Sequence, residues 1–382
     1  MAWQPRVEMD IKQEFVELAL RDGANRRELC RRFGISPKTG YALLARHAAE
    51  GSLAYVRRST RPVHSPTRTP AAIEQAVVAL RCEHPSWGGR KIARRLADLG
   101  QHGVPPPSTV TAILHRHGLI TAQSSLAAQH WQRFEHDAPN ALWQIDFKSD
   151  FDTAKSRCYP LTLLDDHSRF NLALQACANV ATASVQPHLA QAFARYGLLL
   201  RINADNGAPW GSPREPGRSL STLGVWLIRL GIRLTHSAPY HPQTNGKIER
   251  FHRSLKAEVI NGAGFADLAQ AQLAFERWRG VYNHQRPHDA LGLRTPAHRY
   301  EPSPRPMPGV LAPIEYPSED AVATVKWNGQ VRFKGHRLRV SNALLDLPVA
   351  FRADPHDEGC FDAFFCHHRL MRVDLKALPH PF

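Results

Sequence analysis

No run of about 18 consecutive apolar residues occurs anywhere in the chain, so no membrane-spanning helix is expected. The segment from Met1 to Arg6 lacks a charged leader followed by an apolar core, and no signal peptide is expected. Cysteine is sparse: six residues, at positions 30, 82, 158, 177, 360 and 366, with no Cys-x-x-Cys pair. That argues against a disulfide framework and against a paired-cysteine zinc site, and it fits free thiols in a reducing cytoplasm. Acid is also short. Against 34 Asp and Glu stand 49 Lys and Arg, a formal charge of +15. So basic a chain faces a polyanion, with nucleic acid the leading partner. At 382 residues and 43% hydrophobic content, two to four folded domains are expected.

What is present begins with helices. Ile11, Phe15 and Leu18 recur at helical spacing, Leu29 and Phe33 mark a short second helix, and Gly34 stops it. Ser36 and Pro37 then suit the cap and first turn of a third helix that buries Tyr41 and Leu44. Helix, glycine turn, helix is the helix-turn-helix pattern, and its last helix would present Lys38, Thr39 and Arg46 to a DNA groove. Between Arg21 and Pro70 there are 11 basic and three acidic residues, more than half of the chain's whole excess. Arg57, Arg58 and Arg61 lie among prolines there, in a linker that either tracks DNA or is simply solvated. A second triplet follows. Ile73, Val77 and Leu80 form one helix; Ile92, Leu96 and Leu99 mark another, beside Arg90 and Lys91; Ser108 caps a third. Trp87-Gly88-Gly89 supplies the turn, so a second DNA-binding unit is predicted.

From Leu142 to Lys148 the pattern alternates, placing Ile145 and Phe147 on one side and Gln144, Asp146 and Lys148 on the other. Asp is depleted in strands, so Asp146 either lines a site or faces water on an edge. Strands over 159–164 and 170–176 follow, then a helix over 183–196. The apolar run Leu198 to Ile202 reads as a buried central strand, with Asp205 at its exit. A helix near Leu223 to Leu230 and a strand at Ile232 to Thr235 lead to the stretch Tyr240 to Lys256, a polar loop feeding a basic helix. That helix holds Glu249, with Arg253 and Lys256 on the same face.

The order β-β-β-α-β-α-β-α with acids on the first strand, after the fourth strand and on a later helix resembles the ribonuclease-H-like core of retroviral integrases and bacterial insertion-sequence transposases. The matching pieces are Trp143 to Asp146, Leu164 to Arg169, Ala204 to Gly207, Tyr240 to Arg250, and Tyr282 to His288 with Thr295-Pro296. The resemblance implies catalytic and metal-ligating roles for Asp146, Asp205 and Glu249. Three close carboxylates repel, and Mg²⁺ or Mn²⁺, as two ions, would relieve them. Asp146 would bridge both ions, and Lys247, Arg253 and Lys256 would hold DNA phosphates. Asp205 and Glu249 are 44 positions apart, where the family usually has about 35. The surplus reads as an insertion near 208–220. Asp165 and Asp166 read as turn residues.

Prolines from Pro302 to Pro317 make a stiff linker, and the short strands beyond it read as a small β-barrel, with Asn328-Gly329 turning a hairpin. The predicted organisation is helix-turn-helix (1–54), basic linker (55–70), second helix-turn-helix (71–120), connector (121–139), α/β core (140–300), Pro-rich linker (301–320) and barrel (321–382). The predicted function is a DNA transposase acting in the bacterial cytoplasm as a homo-oligomer on paired element ends, with no membrane partner. A catalytically silent DNA-binding regulator and a nuclease without strand transfer are the alternatives.

Overall fold

A computed structural model describes residues 8–56, 68–120, 135–205, 207, 209–210, 220–236 and 246–378. Two compact units divide the chain, Met1–Arg68 and Thr69–Phe382. Among the described residues no helix is long and apolar enough to cross a membrane, and all six cysteines are free.

The first unit holds α1 (Glu8–Ala19), α2 (Arg26–Arg32) and α3 (Pro37–Glu50). Asn25 caps α2 through the Glu28 amide and Ser36 caps α3 through the Thr39 amide, so each turn satisfies a helix end that would otherwise lose its partners. Phe15, Val16, Ala19, Cys30 and Leu43 form the core. Tyr41, expected inside, is 45% exposed, and the inward stripe runs through Gly40 and Leu43 instead. The reason is steric. A Cβ at Gly40 would lie 2.5 Å from Cys30 Sγ and 2.9 Å from Phe15 Cζ, so α3 makes its closest approach at the one residue without a side chain.

The second unit opens with α4 (Ala71–Glu83), α5 (Gly89–Asp98) and α6 (Pro107–Arg116), closed around Val77, Trp87, Ile92, Val110, Ile113 and Leu114. Pro106, not Ser108, occupies the cap of α6, with Pro107 at its first position. Leu99, expected in this core, ends α5 and is 59% exposed.

A mixed sheet follows. Its pieces are β1 (Trp143–Phe147), β2 (Phe151–Asp152), β3 (Arg157–Asp165), β4 (Asn171–Cys177), α7 (Thr182–Tyr196), β5 (Arg201–Ala204), α8 (Thr222–Arg229), β6 (Arg233–His236), α9 (Gly246–Leu255) and α10 (Leu268–His284). Strand order is β2-β3-β1-β5-β6, with β4 also on β3. β3 is antiparallel to β1 and β4, and β5 is parallel to β1 and β6. The apolar run from Leu198 becomes strand only at Arg201. Before that, the Leu198 and Leu200 amides donate to Arg305 and Asn140 carbonyls, outside the sheet. The Pro-rich segment is therefore not a free spacer: it straps the core, and at Gly197 (φ +78°) an added Cβ would lie 2.6 Å from the Ser303 carbonyl.

Both faces of the sheet are covered. Trp143, Ile145, Leu161 and Leu163 pack with Leu189, Phe193 and Leu227 of α7 and α8 on one side. Cys158, Leu164 and Leu174 pack with Ile248, Phe251, Leu255, Phe275 and Trp278 of α9 and α10 on the other.

The C-terminal strands are β7 (Ala321–Thr324), β8 (Gln330–Phe333), β9 (His336–Arg339), β10 (Pro348–Ala353), β11 (Cys360–Phe365) and β12 (His368–Asp374). The expected barrel is not formed. β12-β11-β10-β7 make one open antiparallel sheet and β8-β9 a separate hairpin, and no pairing between β12 and β7 closes the sheet among the described residues. The Asn328-Gly329 turn has the anticipated positive φ values, 63° and 64°, but joins its flanks by a single bridge, Lys326 to Gln330. Ala321–Thr324 pairs with β10 instead, and β8 takes β9 through a second positive-φ turn at Lys334-Gly335.

Candidate active site

β1 has β3 on one edge and β5 on the other, so Asp146 is not on a solvent-facing edge strand. Its cross-strand partner is Thr162, and together with Gln144 these residues face α9. β5 pairs with β1 through Trp143–Ile202 and Gln144–Asn203, and two residues further along the same register Asp205 comes level with Asp146. The Asp205 turn is held from both sides: its carboxylate accepts from the Gly207 amide at 3.0 Å, and its carbonyl pairs with His236 Nδ1 at 2.8 Å. Glu249 lies exposed in the first turn of α9, where the helix dipole favours an acid.

The three acids share one electrostatic region. Burial first, then the charge of Asp205, pushes the Asp146 carboxyl up to about 7; Glu249 adds to the rise, and the Phe147 backbone and Lys148 oppose it. Among the described residues no three His, Cys, Asp or Glu side chains converge on a single point.

A buried polar network fixes α9 over β1. Gln144 accepts from the Ile248 amide at 3.2 Å and donates to Asp166 at 2.9 Å. Asp166, 2% exposed, also accepts from the His136 amide and pairs with the Lys247 ammonium. Lys247 thus points inward, its Nζ also 3.0 Å from the Asp166 carbonyl, and is not free to hold a DNA phosphate as the sequence suggested. Asp165 is wholly buried and accepts from the Asn140 amide and from Ser168, which supports the turn. Replacing Asp166 by Asn leaves the Lys247 ammonium buried without its carboxylate and should cost about 3 kcal/mol in denaturant unfolding, loosening α9 and Glu249 over β1. An unchanged unfolding free energy would remove the network from this role.

His252 is a residue that the sequence reading passes over. It lies one turn beyond Glu249, with Nε2 3.0 Å from Thr162 Oγ1 and Nδ1 3.9 Å from Asp146. Burial first, then Lys148, holds its imidazole down to about 3, so it faces Asp146 uncharged. The 3–4 spacing that singles out Arg253 also marks His252, on the inward side. Lys148 is a second addition, since its ammonium feels both Lys256 and Asp146.

The expected DNA contacts separate into groups. Lys38, Thr39, Arg253 and Lys256 are exposed, and Arg46 is half-buried. Arg90 pairs with Asp289 at 3.2 Å, and Lys91 is held down to about 8, by burial first and then by Arg286, so both face the α/β core. Arg57, Arg58 and Arg61, most of the 208–220 insertion and the Tyr240 to Asn245 loop lie outside the described residues.

Known families match along the chain in the same order. The integrase core domain matches residues 136–242, and a second integrase core family matches 230–296. A helix-turn-helix domain matches 11–62, a homeodomain-like domain 39–114, and the C-terminal domain of the IS481 family of transposases 320–379. The chain is 28% identical over 242 residues to the uncharacterized 39.2 kDa protein of insertion element IS476 from Xanthomonas euvesicatoria, covering 61% of this chain and 66% of that protein. It is 29% identical over 160 residues to the 31.7 kDa protein of IS407 from Burkholderia multivorans, covering 42% and 55%. With the transposase for insertion sequence element IS904 from Lactococcus lactis it shares 25% over 244 residues, covering 59% and 91%. The chain thus spans slightly under two thirds of the IS476 protein and about half of the IS407 protein. On these matches residues 136–296 carry integrase core domains, preceded by helix-turn-helix and homeodomain-like domains and followed by a C-terminal domain of the IS481 transposase type, and the chain is similar to insertion-element proteins.

Proposed function

We propose that this chain is a DNA transposase that binds the terminal repeats of a mobile element, frees a 3′-hydroxyl at each end and joins it to target DNA by metal-dependent phosphoryl transfer. The observation that carries the reading is the placement of three acids: Asp146 on an interior strand, Asp205 just past the end of the neighbouring parallel strand, and Glu249 in the first turn of the helix bonded to β1 through the Ile248 amide and Gln144. An all-oxygen, all-anionic donor set of this kind fits Mg²⁺ or Mn²⁺, and Asp146, Asp205 and Glu249 would hold two ions. When bound, such ions stabilise charge on the attacking and leaving oxygens of an in-line displacement. Arg253 on α9 and Lys256 at the start of the π-helical turn that continues it, both exposed beyond Glu249, hold the DNA backbone beside the acids, and Lys148 adds to that field. The Gln144–Asp166–Lys247 network keeps α9 in register with β1.

The same reading assigns DNA recognition to the two helical units. In the first, Lys38 and Thr39 stand at the outer start of α3. In the second, the turn-linked later helix is α6, and its exposed Ser108, Ala112 and His115 meet the groove, while Arg90 and Lys91 serve the docking of α5. Paired ends call for a homo-oligomer. The test incubates labelled terminal-repeat DNA and a target plasmid with the protein and Mg²⁺. Joined products support transposition, cleavage alone means a nuclease, and shifted DNA without metal-dependent products means a silent regulator.

A further inference from the structure

β5 enters the sheet at Arg201 and leaves it at Ala204, with Asp205 next. Arg201 and Asp205 are therefore about 13 Å apart. At the entry end lies a cleft of ≈ 580 Å³ lined by Arg201, Arg233, Arg305, His136, His367 and the 57% exposed Leu200. Among the described residues no carboxylate lines it.

The charge there is out of balance. Arg201 and Arg233 are register partners on adjacent parallel strands, so their side chains leave the same face of the sheet about 5 Å apart. Like charges placed side by side across strands are destabilising. Neither guanidinium has a hydrogen bond or ion pair among the described residues. Arg305 is fixed between them and the strap, donating to the carbonyls of Leu199 at 2.8 Å, Leu230 at 3.3 Å and Gly231 at 3.4 Å. Carbonyls orient that guanidinium without cancelling its charge. His367, brought in from the C-terminal domain, has its imidazole held low by burial first and further by Arg233 and Arg305. Five segments distant in sequence thus converge on an open space bordered, among the described residues, by three permanent cations and no anion.

Guanidinium pairs match the geometry of phosphate oxygens. We propose that this cleft is a second nucleic-acid contact, in which Arg201 and Arg233 grip backbone phosphate at the end of the sheet remote from Asp146, Asp205 and Glu249. DNA is the occupant because the chain carries DNA-binding family domains and an overall +15 charge. The proposal rests on the reading of the chain as a DNA-processing protein, but not on its chemistry.

The test measures duplex DNA affinity of the full chain at several salt concentrations between roughly 50 and 200 mM, without divalent metal. Wild type is compared with Arg201→Gln/Arg233→Gln and with the charge-keeping Arg201→Lys/Arg233→Lys, thermal unfolding confirming that each folds. Each phosphate contact contributes about 0.9 to the slope of log affinity against log salt. The glutamine pair should flatten that slope by about one to two and weaken binding roughly tenfold at the low-salt end, alike on terminal-repeat and unrelated sequences. The lysine pair should keep the wild-type slope. In a further arm, inorganic pyrophosphate at low salt should raise the thermal midpoint of the wild type and the lysine pair more than that of the glutamine pair, which reads the cleft without DNA. Wild-type binding with an unchanged slope in a folded glutamine pair overturns this site and leaves the functional reading standing. Wild type that binds no DNA overturns both.

Discussion

Asp146→Asn should abolish joined products while leaving DNA binding unaltered. A loss of roughly 10³-fold in turnover, about 4 kcal/mol of transition-state stabilisation, is expected when a charged oxygen is removed from a site that balances charge on a phosphoryl group. The same substitution should raise the stability of the metal-free protein. Partial burial first, and then the charges of Asp205 and Glu249, drive the Asp146 carboxyl up to about 7, so an ionised group there opposes folding. Asparagine keeps the shape and removes the charge, a gain on the order of 1–3 kcal/mol and a few degrees in thermal midpoint. Mg²⁺ then discriminates further. A cation that binds only the folded site raises the wild-type midpoint with concentration, and the variant should respond far less. The decisive pattern is opposite movement: a more stable protein with no products. A variant that still joins DNA at the wild-type rate would remove Asp146 from the reaction. One that is inactive because it is unfolded would fail the stability measurement, so the two cases cannot be confused.

How much of this was visible in the linear chain depends on the range of the force involved. Alternation over 142–148 exposes Asp146, because a charge on an interior strand conflicts with strand propensity. Asp205 follows from an apolar run that ends in Asp-Asn-Gly, and Glu249 from helical spacing. Their meeting is encoded by register, Trp143 beside Ile202, which no local pattern states. Lys247 shows the limit most clearly: on paper it joins Arg253 and Lys256 as a phosphate ligand, yet it pairs with Asp166, 81 positions away in sequence. Arg90 and Lys91 repeat the lesson, since a basic helix facing solvent and one facing a buried glutamate read alike. Tyr41 and Leu43 on α3 differ for a smaller reason, the missing side chain of Gly40. The C-terminal sheet stays open because β7 and β8, adjacent in sequence and joined by a good turn, pair with other strands. A turn signal reports backbone conformation and says little about which strand is bonded beyond it.

The junction between α5 and the core yields the largest expected change in stability. α9 passes directly into a π-helical segment, Lys256–Ile260, whose wider turn carries Glu258 toward α10. There Glu258 pairs with Arg286, accepts from Ser86 of the second helical unit and accepts from Trp278 Nε1 at 2.7 Å. Arg286 also reaches Ser254 at 3.1 Å. The side chains of Glu258 and Arg286 are 11% and 8% exposed. Replacing Glu258 by Ala leaves a buried guanidinium, an indole N–H and a hydroxyl without their acceptor, and should cost about 3–5 kcal/mol in denaturant unfolding. Removing both charges together, with Glu258→Met and Arg286→Met, should cost much less, because the penalty comes from the charge left behind. The pH dependence has a definite sign. Burial raises the Glu258 carboxyl, but Arg286, then Ser86 and Trp278, outweigh it and hold the group below its ordinary 4.5. Its contribution is therefore complete above pH 4.5 and is lost as pH falls through the lowered value, so the gap between wild type and Glu258→Ala should narrow on acidification. The segment bearing Glu258 continues the helix bearing Glu249, and Ser86 belongs to the unit that carries α6. Loss of this junction should therefore also reduce the preference for terminal-repeat over unrelated DNA in the joining reaction. If Glu258→Ala unfolds with the wild-type free energy, the cluster is not the clamp that its burial and partners indicate.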